Sequence, residues 1–342
     1  MFLVLHVLLT GRWWPWFIVE ATPPLTVVVV PLLLLALVPF ARPVRRWLSA
    51  VLVVLLLAGA YLAGFGPRLT GITTDNPQGT AVKVFAWSTD YWQMSDDKDA
   101  FYAYLRRQDA DVYLLQEYLY WNDDDQQRCT SPLQIDDTAR LQAEFPGYRL
   151  IVEGELLTLS RLPVVTPPDQ QAPGTGTDWY WKAPKAQRTD IQVGGRTVSF
   201  YNVHLPVPFR ICGSPSSGDF YRSFKEQQTW RSSELSKLRA DLADNPHPAV
   251  VTGDFNSPWM ELSFLGAGTR VHSPADSLLS PRSWPVSGCS CTLPPHLRSL
   301  PRLWRLDWLF TTDGLAVPSY HFRDGKDFSD HLAQEIRVVV PD

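Results

Sequence analysis

A sharp change in composition at Gly66 constrains this chain more than any other feature of its sequence. Residues 1–66 contain no lysine, no aspartate and a single glutamate, Glu20, whereas the rest has the composition of an ordinary soluble domain. Two strongly apolar runs cover 25–40 and 47–66. A helix needs about 20 apolar residues to cross a bilayer, so the second run is long enough and the first needs its flanks. The sequence therefore predicts a membrane anchor.

The number and direction of the spans follow from the flanking residues. Residues 2–19 are also apolar, but Arg12 and Pro15 interrupt them, so we expect two or three spans. The alternative is a cleaved signal peptide; it is disfavoured because the apolar runs repeat and no small-residue cleavage site follows a short one. Three arginines occupy the connection 41–47, and positively charged short loops stay in the cytoplasm. We expect 1–66 to be a multi-pass cell-membrane anchor with everything after it extracytoplasmic.

The part after the anchor divides into a linker and one large domain. Residues 67–80 are rich in Pro, Gly and Thr, which is typical of a linker. From 81 to 342, strand-like runs such as "AVKVFAW" and "PAVVTGDFN" alternate with helical periodicity, as in "DFYRSFKEQQTWRSSELSKLRADLAD". This alternation predicts an α/β domain built on β-sheets. The segments 167–178 and 273–301, rich in Pro, Ser and Gly, are predicted to be loops.

Charge and cysteine content narrow the partners and the compartment. The formal net charge is −4, whereas a general nucleic-acid-binding domain needs a basic stripe, so no stable nucleic-acid partner is expected. An even number of cysteines in an oxidising compartment favours disulfides. A zinc site is not supported, because the sequence has no C-x-x-C pair. Free buried cysteines are the alternative. The four cysteines are Cys129, Cys212, Cys289 and Cys291.

Polar side chains recur where the predicted strands end. They are Asp90, Glu117, Asn202, His204, Asp254, Asn256, Asp307, Asp330 and His331. A turn alone would explain Asp254 and Asn256, since both residue types bond their own backbone. Carboxylates that face one another, however, repel unless a cation or a proton lies between them. Oxygen ligands suit Mg²⁺ or Mn²⁺, and histidines add proton donors for a phosphate. The pattern indicates metal-assisted attack of water on phosphorus.

In their order along the chain, these residues resemble the endonuclease/exonuclease/phosphatase superfamily. The matching segments are Asp90, Glu117, "LSRLP" (159–163), "NVHL" (202–205), "GDFN" (253–256), "RLDW" (305–308) and "SDH" (329–331). The resemblance covers about 81–340. It implies an α/β four-layer sandwich of two mixed β-sheets flanked by helices, here behind N-terminal transmembrane helices. It also implies a hydrolase that acts on phosphoric ester bonds with Mg²⁺ or Mn²⁺.

The resemblance assigns the metal and the attacking water to five of these residues. Glu117 is implied as the principal metal ligand, and Asp90 and Asp330 as further carboxylates close to the metal. Asp254 is implied to orient and deprotonate the attacking water. Asn256 is implied to steady that water or a phosphate oxygen.

The remaining residues are assigned to the phosphate. Asp307 and His331 resemble a pair in which the acid fixes the imidazole and the imidazole contacts the phosphate. His204 is implied as a phosphate contact or proton donor, and Asn202 either binds phosphate or satisfies backbone groups at a strand end. The first motif, which ends at Asp90, departs from the family pattern, because Ser88 stands where the family has asparagine. Its hydroxyl still donates a hydrogen bond, but it reaches less far than an amide.

The predicted membrane placement narrows the substrate. The chain is similar in plan to bacterial membrane-bound members of the superfamily linked to glycopeptide resistance. A phospholipid, a polyprenyl phosphate or another membrane-borne phosphate is favoured, because anchoring to the lipid bilayer raises its local concentration. Two alternatives stay open: an extracytoplasmic nuclease, and a non-catalytic binding module that retains the fold.

The resemblance also bears on the disulfides. In the family fold the loops that carry the four cysteines rise on the same side of the sandwich, around the mouth of the site. A bridge between Cys289 and Cys291 is strained because one residue separates them. We therefore predict that these two pair with Cys129 and Cys212, in an order left open.

Overall fold

The computed structural model describes most of the chain and both of its compositional parts. The described residues are 2–20, 22–63, 77–92, 97–120, 132–166, 179–208, 216–257, 265–266, 268–275, 281–286, 301–325 and 328–341. All four cysteines lie outside these ranges, and so do the loop 167–178 and most of 273–301. The disulfide prediction therefore stays a prediction.

Short helices make up the described N-terminal part. They are α1 (Phe2–Leu9), α2 (Phe17–Glu20), α3 (Thr26–Leu37) and α4 (Arg45–Leu62), with 3-10 turns at Trp14–Trp16 and Val38–Phe40. Helices α3 and α4 pack against each other, and a Cβ on Gly59 would lie 2.4 Å from the carbonyl oxygen of Val27. Glycine at this position therefore lets the two backbones approach closely.

The prediction of two or three spans is only partly met by this part of the structure. Within the described residues, Arg45–Leu62 is the one helix long and apolar enough to cross a bilayer, and Thr26–Phe40 is a shorter apolar helix. Residues 2–19 do not form a span: α1 ends at Leu9, and the chain folds back so that Gly11 N donates to Glu20 Oε1 at 2.8 Å. The turn forms where Gly11 has a positive φ, a conformation that favours glycine.

The rest of the chain is built from twelve described strands and four described helices. The strands are β1 (Thr80–Ser88), β2 (Val112–Gln116), β3 (Arg149–Glu153), β4 (Leu156–Ser160), β5 (Val164–Thr166), β6 (Ala186–Val193), β7 (Arg196–His204), β8 (Ala249–Asp254), β9 (Thr269–His272), β10 (Asp307–Thr312), β11 (Ala316–Arg323) and β12 (Ala333–Val340). The helices are α5 (Lys98–Arg107), α6 (Thr138–Glu144), α7 (Trp179–Lys182) and α8 (Gly218–Asp244).

These strands form two mixed sheets of six strands each. The first sheet has the order β11-β12-β1-β2-β4-β3, and the second has the order β5-β6-β7-β8-β10-β9. Strands β1 and β2 are parallel, as are β7 and β8, whereas β12 and β10 run antiparallel to their neighbours. Each sheet therefore collects the C-terminal ends of its parallel pair and the N-terminal end of an antiparallel neighbour at one edge.

Three apolar clusters show that the sheets pack face to face with helices outside. The central cluster joins side chains of both sheets, such as Val84 and Phe200. A second cluster lies between the first sheet and α5 and α6, and includes Phe101 and Leu141. A third lies between the second sheet and α8, and includes Leu238. The predicted arrangement of two mixed sheets flanked by helices is confirmed.

Candidate active site

The predicted site residues lie at one edge of the two sheets. Ser88 ends β1 and Glu117 directly follows β2, whereas His204 and Asp254 end the parallel strands β7 and β8. His204 is aligned with Asp254, and Asp254 with Asp307, the first residue of antiparallel β10. Because these strand ends share one edge, residues more than 200 positions apart in the chain face a common space. Asp330 and His331 reach it from the turn before β12.

Unusual backbone conformations concentrate in the turns at this edge. Non-glycine residues with positive φ there are Asp90 (51°), Tyr91 (63°), Glu117 (63°) and Asn256 (49°). Such residues cost about 1–3 kcal/mol each and cluster at functional sites, where the surrounding packing holds them. Gly253 is required just before Asp254, because a Cβ there would lie 2.1 Å from the carbonyl oxygen of Val203. The turns at this edge therefore hold unfavourable backbone conformations that direct the site side chains.

His331 forms an acid–imidazole pair with Asp307. Its Nδ1 lies 2.9 Å from Asp307 Oδ2, and its Nε2 lies 3.6 Å from Asp254 Oδ2 and 3.9 Å from Asp330 Oδ1. Burial disfavours the charged imidazole, but Asp307 and Asp254 outweigh it and raise the pKa of His331 well above its usual value. The two carboxylates therefore favour the charged form of the ring, and its Nε2 faces Asp254.

His204 forms a second pair, with Glu155. Its Nδ1 lies 3.0 Å from Glu155 Oε2, and its Nε2 lies 3.7 Å from Asp254 Oδ2 and 4.0 Å from Glu117 Oε1. Burial would lower the pKa of His204, but Glu155 outweighs it and raises the pKa to about 9. The other oxygen of Glu155 forms an ion pair with Lys185, and both of these side chains are fully buried. A second positive imidazole thus faces Asp254.

Asp254 lies between the two imidazoles and is held by Asn256. Its Oδ1 accepts from the backbone N of Asn256 at 2.8 Å, and its Oδ2 from Asn256 Nδ2 at 3.2 Å. The same amide donates to the carbonyl oxygen of Leu205 at 3.0 Å. Burial raises the pKa of Asp254 to about 6, with the positive histidines opposing the effect of burial and Asp307 adding to it. An oriented carboxylate with a pKa near neutrality suits the acceptance of a proton from water.

Glu117 fits a divalent cation. Its side chain is 17% exposed, and its Oε2 accepts from the backbone N of Tyr91, next to Asp90, at 3.2 Å. Burial raises the pKa of Glu117 to about 7; His204 opposes this effect and Asp330 adds to it. A cation beside two neighbouring carboxylates offsets their mutual repulsion, and oxygen donors suit Mg²⁺ or Mn²⁺. Glu117, Asp90 and Asp330 would hold that ion.

A second group of donors exists among the described residues. One oxygen each of Asp254 and Asp307 and one nitrogen of His331 lie within 4.8 Å of one another. Asp307 Oδ1 is buried and has no hydrogen-bond partner among the residues that the structure describes. A nitrogen donor favours a transition ion such as Mn²⁺ over Mg²⁺. Because a nitrogen that binds a metal cannot carry a proton, a cation at this position would require a neutral His331, whereas a cation at Glu117 would not.

The side chain of Asn202 joins the two sheets. Its Nδ2 donates to the carbonyl oxygens of Leu115 and Leu157 at 3.0 and 3.2 Å, and its Oδ1 accepts from Gln116 Nε2 at 2.5 Å. Since both ends of the amide are engaged by the first sheet and Asn202 is fully buried, its position favours the backbone-satisfying alternative over phosphate binding.

Ser88 is buried at the end of β1. Its carbonyl oxygen accepts from Ser329 Oγ at 2.6 Å, which ties β1 to the segment carrying Asp330 and His331. Its own Oγ is buried and has no hydrogen-bond partner within the described part of the chain. A buried hydroxyl without a partner costs about 1–3 kcal/mol, a cost that a hydrogen bond to a bound water would offset. Its assignment to phosphate binding stays a prediction.

Sequence reasoning did not find three side chains that hold the site residues. Glu155 and Lys185 lie behind His204, and Trp284 Nε1 donates to Asp330 Oδ2 at 2.8 Å. Glu155 comes just before β4, whose residues are all buried, and a charge beside such an apolar run was the available signal. Lys185 gives no such signal, because its partners Glu155 and Trp230 come from distant parts of the chain.

The comparisons with known proteins identify the family. The model of the Endonuclease/Exonuclease/phosphatase family matches residues 78–331, and no curated protein matches the chain. A family protein from Bacteroides thetaiotaomicron is 14% identical over 78% of this chain and 100% of its own, with a TM-score of 0.47. A family protein from Beutenbergia cavernae is 18% identical over 77% of this chain and 72% of its own, with a TM-score of 0.46. Humanised D. rerio TDP2 is 13% identical over 75% of this chain and 98% of its own, with a TM-score of 0.46. The chain belongs to the Endonuclease/Exonuclease/phosphatase family.

Proposed function

We propose that this protein is a membrane-anchored, metal-dependent phosphoesterase with its site outside the cytoplasmic membrane, acting on a lipid-linked or cell-envelope phosphate. Membership of the family makes it a hydrolase of phosphoric ester bonds. The observation that carries the proposal is the convergence on Asp254 of two imidazoles, each held by a carboxylate, beside Glu117. We expect the phosphate group and the attacking water to bind together at this position.

The described residues supply a complete set of roles for hydrolysis. Two positive imidazoles bind the phosphate oxygens, and the oriented Asp254 takes a proton from the attacking water. The P–O bond to the leaving group breaks as the new P–O bond forms, and an imidazolium Nε2–H is placed to protonate the departing oxygen. A divalent ion held at Glu117 would neutralise charge that develops on the phosphate. Side chains of the protein would therefore bind the phosphate, orient the attacking water and transfer the protons.

The N-terminal helices support membrane attachment. Their outward faces carry large exposed apolar side chains, among them Phe40 (84%), Trp47 (80%) and Leu57 (66%). Exposed apolar surface of this extent marks a membrane or protein contact. Arg45 and Arg46 stand exposed at the start of α4, where positive charge favours the cytoplasmic side. A helix that starts inside and ends at Leu62 delivers the catalytic part to the outer side.

Activity of the full chain in detergent tests the chemistry. With Mg²⁺ or Mn²⁺, we expect hydrolysis of a lipid phosphate in preference to nucleotides or DNA across a panel of these substrates. Glu117→Gln keeps the shape but removes a charge from the metal site, so activity should fall by about 10³-fold at near-unchanged folding. Glu226→Gln, on the exposed surface of α8, is the matched control. Retention of metal-stimulated activity by E117Q contradicts the assignment, and a preference for DNA contradicts the substrate class.

Reporter fusions test the placement. A reporter active only outside the membrane should be active after Asp342 and silent when inserted at Pro43. The reverse pattern contradicts both the compartment and the envelope substrate, while it leaves the chemistry of the site intact.

A further inference from the structure

A buried lysine lies directly behind the His204 pair. Lys185 is fully buried, immediately before β6, and its ammonium pairs with Glu155 Oε1. Moving an ammonium out of water is costly unless other groups replace its hydration. Here one face of the ammonium meets a carboxylate, and other faces meet aromatic rings. The Lys185 ammonium therefore lies in a buried site whose groups replace its hydration.

Aromatic rings enclose the ammonium on the side away from Glu155. The Lys185 Nζ lies 3.4 Å from the centroid of the Tyr180 ring and 5.2 Å from that of Trp230. Trp181 packs on both rings, with centroid separations of 4.9 Å to Tyr180 and 5.0 Å to Trp230. Cations placed over ring faces are stabilised, and more so when they are shielded from water. The rings thus hold the charge while they keep water away.

The main chain around Lys185 is connected to the same residues. Its carbonyl oxygen accepts from His204 N at 2.9 Å, and its N donates to Glu234 Oε2 at 3.3 Å. The carbonyl oxygen of Glu155 accepts from Tyr118 N, the residue after Glu117, at 2.9 Å. Displacement of the Lys185–Glu155 pair would therefore reach both the His204 ring and the turn that presents Glu117.

We propose that Lys185 is a positioning residue: its ammonium holds the Glu155 carboxylate in place, and Glu155 in turn fixes the His204 ring with Nδ1 bonded and Nε2 facing Asp254 and Glu117. Without the ammonium, a buried carboxylate would have only His204 to offset its charge. The carboxylate would then rotate or take up a proton, and the ring would lose the acceptor that sets its orientation. This inference rests on the proposed function only for its kinetic readout.

Kinetics of four variants in the full chain test the proposal. Lys185→Met removes the charge at similar size, Glu155→Gln removes its partner, and the double variant removes both. Lys237→Met is the matched control, because Lys237 also pairs with a glutamate of this region (Nζ to Glu234 Oε1, 2.6 Å) but is 68% exposed. With a chromogenic phosphodiester, we expect K185M and E155Q each to lower kcat by about 10²-fold with KM within about threefold, and K237M to change neither.

The double variant separates positioning from folding. Since it removes the Lys185 and Glu155 charges together and leaves neither without the other, E155Q/K185M should fold even where K185M does not. If Lys185 acts through Glu155, the kcat of the double variant equals that of E155Q. A K185M enzyme with kcat within about twofold of K237M overturns the proposal, as does a double variant whose loss is the product of the two single losses.

A spectroscopic readout is independent of activity. In the wild-type protein the Nδ1–H proton of His204, assigned by its absence in His204→Asn, should show the downfield shift of a proton shared with a carboxylate. K185M should move it upfield, and K237M should not. An unmoved resonance in K185M overturns the proposal. A moved resonance in a protein without phosphoesterase activity supports Lys185 as a positioning residue and contradicts the proposed function instead.

Discussion

The two acid–imidazole pairs of the site are alike in geometry and different in surroundings. His331 Nε2 and His204 Nε2 lie 3.6 and 3.7 Å from the same Asp254 oxygen, and each Nδ1 meets a carboxylate at 2.9 or 3.0 Å. Each pair also crosses between the two sheets. Asp307, in the first pair, has one buried oxygen with no partner among the described residues. Glu155, in the second pair, uses its second oxygen for the ion pair with Lys185.

The difference shows what each carboxylate is available for. Asp307 Oδ1 has no hydrogen-bond partner among the described residues, so this carboxylate keeps an oxygen that can take part in the reaction while the other holds His331. Glu155 has no such oxygen: Lys185 takes one and His204 the other. Its carboxylate is used fully by these two contacts. We infer that the His331 pair lies nearer to the chemistry, and that the His204 pair is a rigid source of positive charge.

The largest expected effect comes from breaking the first pair. Asp307→Ala and His331→Ala should each lower kcat/KM by about 10³-fold, and the double substitution should cost little more, because either change removes the same oriented imidazolium. Steady-state kinetics of the three variants, with circular dichroism as the folding control, make the comparison. Losses that multiply would show that the two residues act separately.

A smaller effect is expected from the second pair, and it sharpens the comparison. His204→Ala should lower kcat/KM by about 10²-fold, which is the range for a general acid or a charged phosphate contact. In the double variant with His331→Ala the losses should combine more nearly as a product than they do within the first pair, because separate carboxylates hold the two rings. Equal coupling within and between the pairs would mean that the site acts as one undivided network.

The smallest effect is on stability in acid. Burial would raise the pKa of Glu155, but Lys185 and His204 outweigh it and lower the pKa from 4.5 to about 2. Because the folded protein holds this proton less tightly than the unfolded chain, the contribution of Glu155 is fully present above pH 4.5 and is lost as pH falls toward 2. Denaturant unfolding across this window should therefore be less pH-dependent in E155Q/K185M than in the wild type. Lys237→Met should keep the wild-type slope; an equal slope in all three contradicts the folded-state ion pair.

Much of the fold and of the site is visible in the sequence, and for a local reason. Strand-like runs that end in Asp, Asn or His, as at Asp254, carry their own signal, because a strand's last residue and the turn after it are neighbours in the chain. The same holds for Glu117 after β2. The alternation of these runs with helices predicts an α/β domain built on β-sheets, and the family resemblance adds the two sheets and the helices that flank them.

The sequence by itself determined the split at Gly66, the α/β class and the set of polar residues at one edge of the sheets. Only the tertiary structure decided which carboxylate each histidine meets, that the Asn202 amide is used between the sheets, and that residues 2–19 fold back instead of spanning. It alone shows Lys185 and Glu155, because their partners are distant in the chain. The physical reason is that an ion pair or an inter-sheet hydrogen bond depends on the distance between side chains brought together by packing. Strand periodicity and turn chemistry depend only on residues a few positions apart.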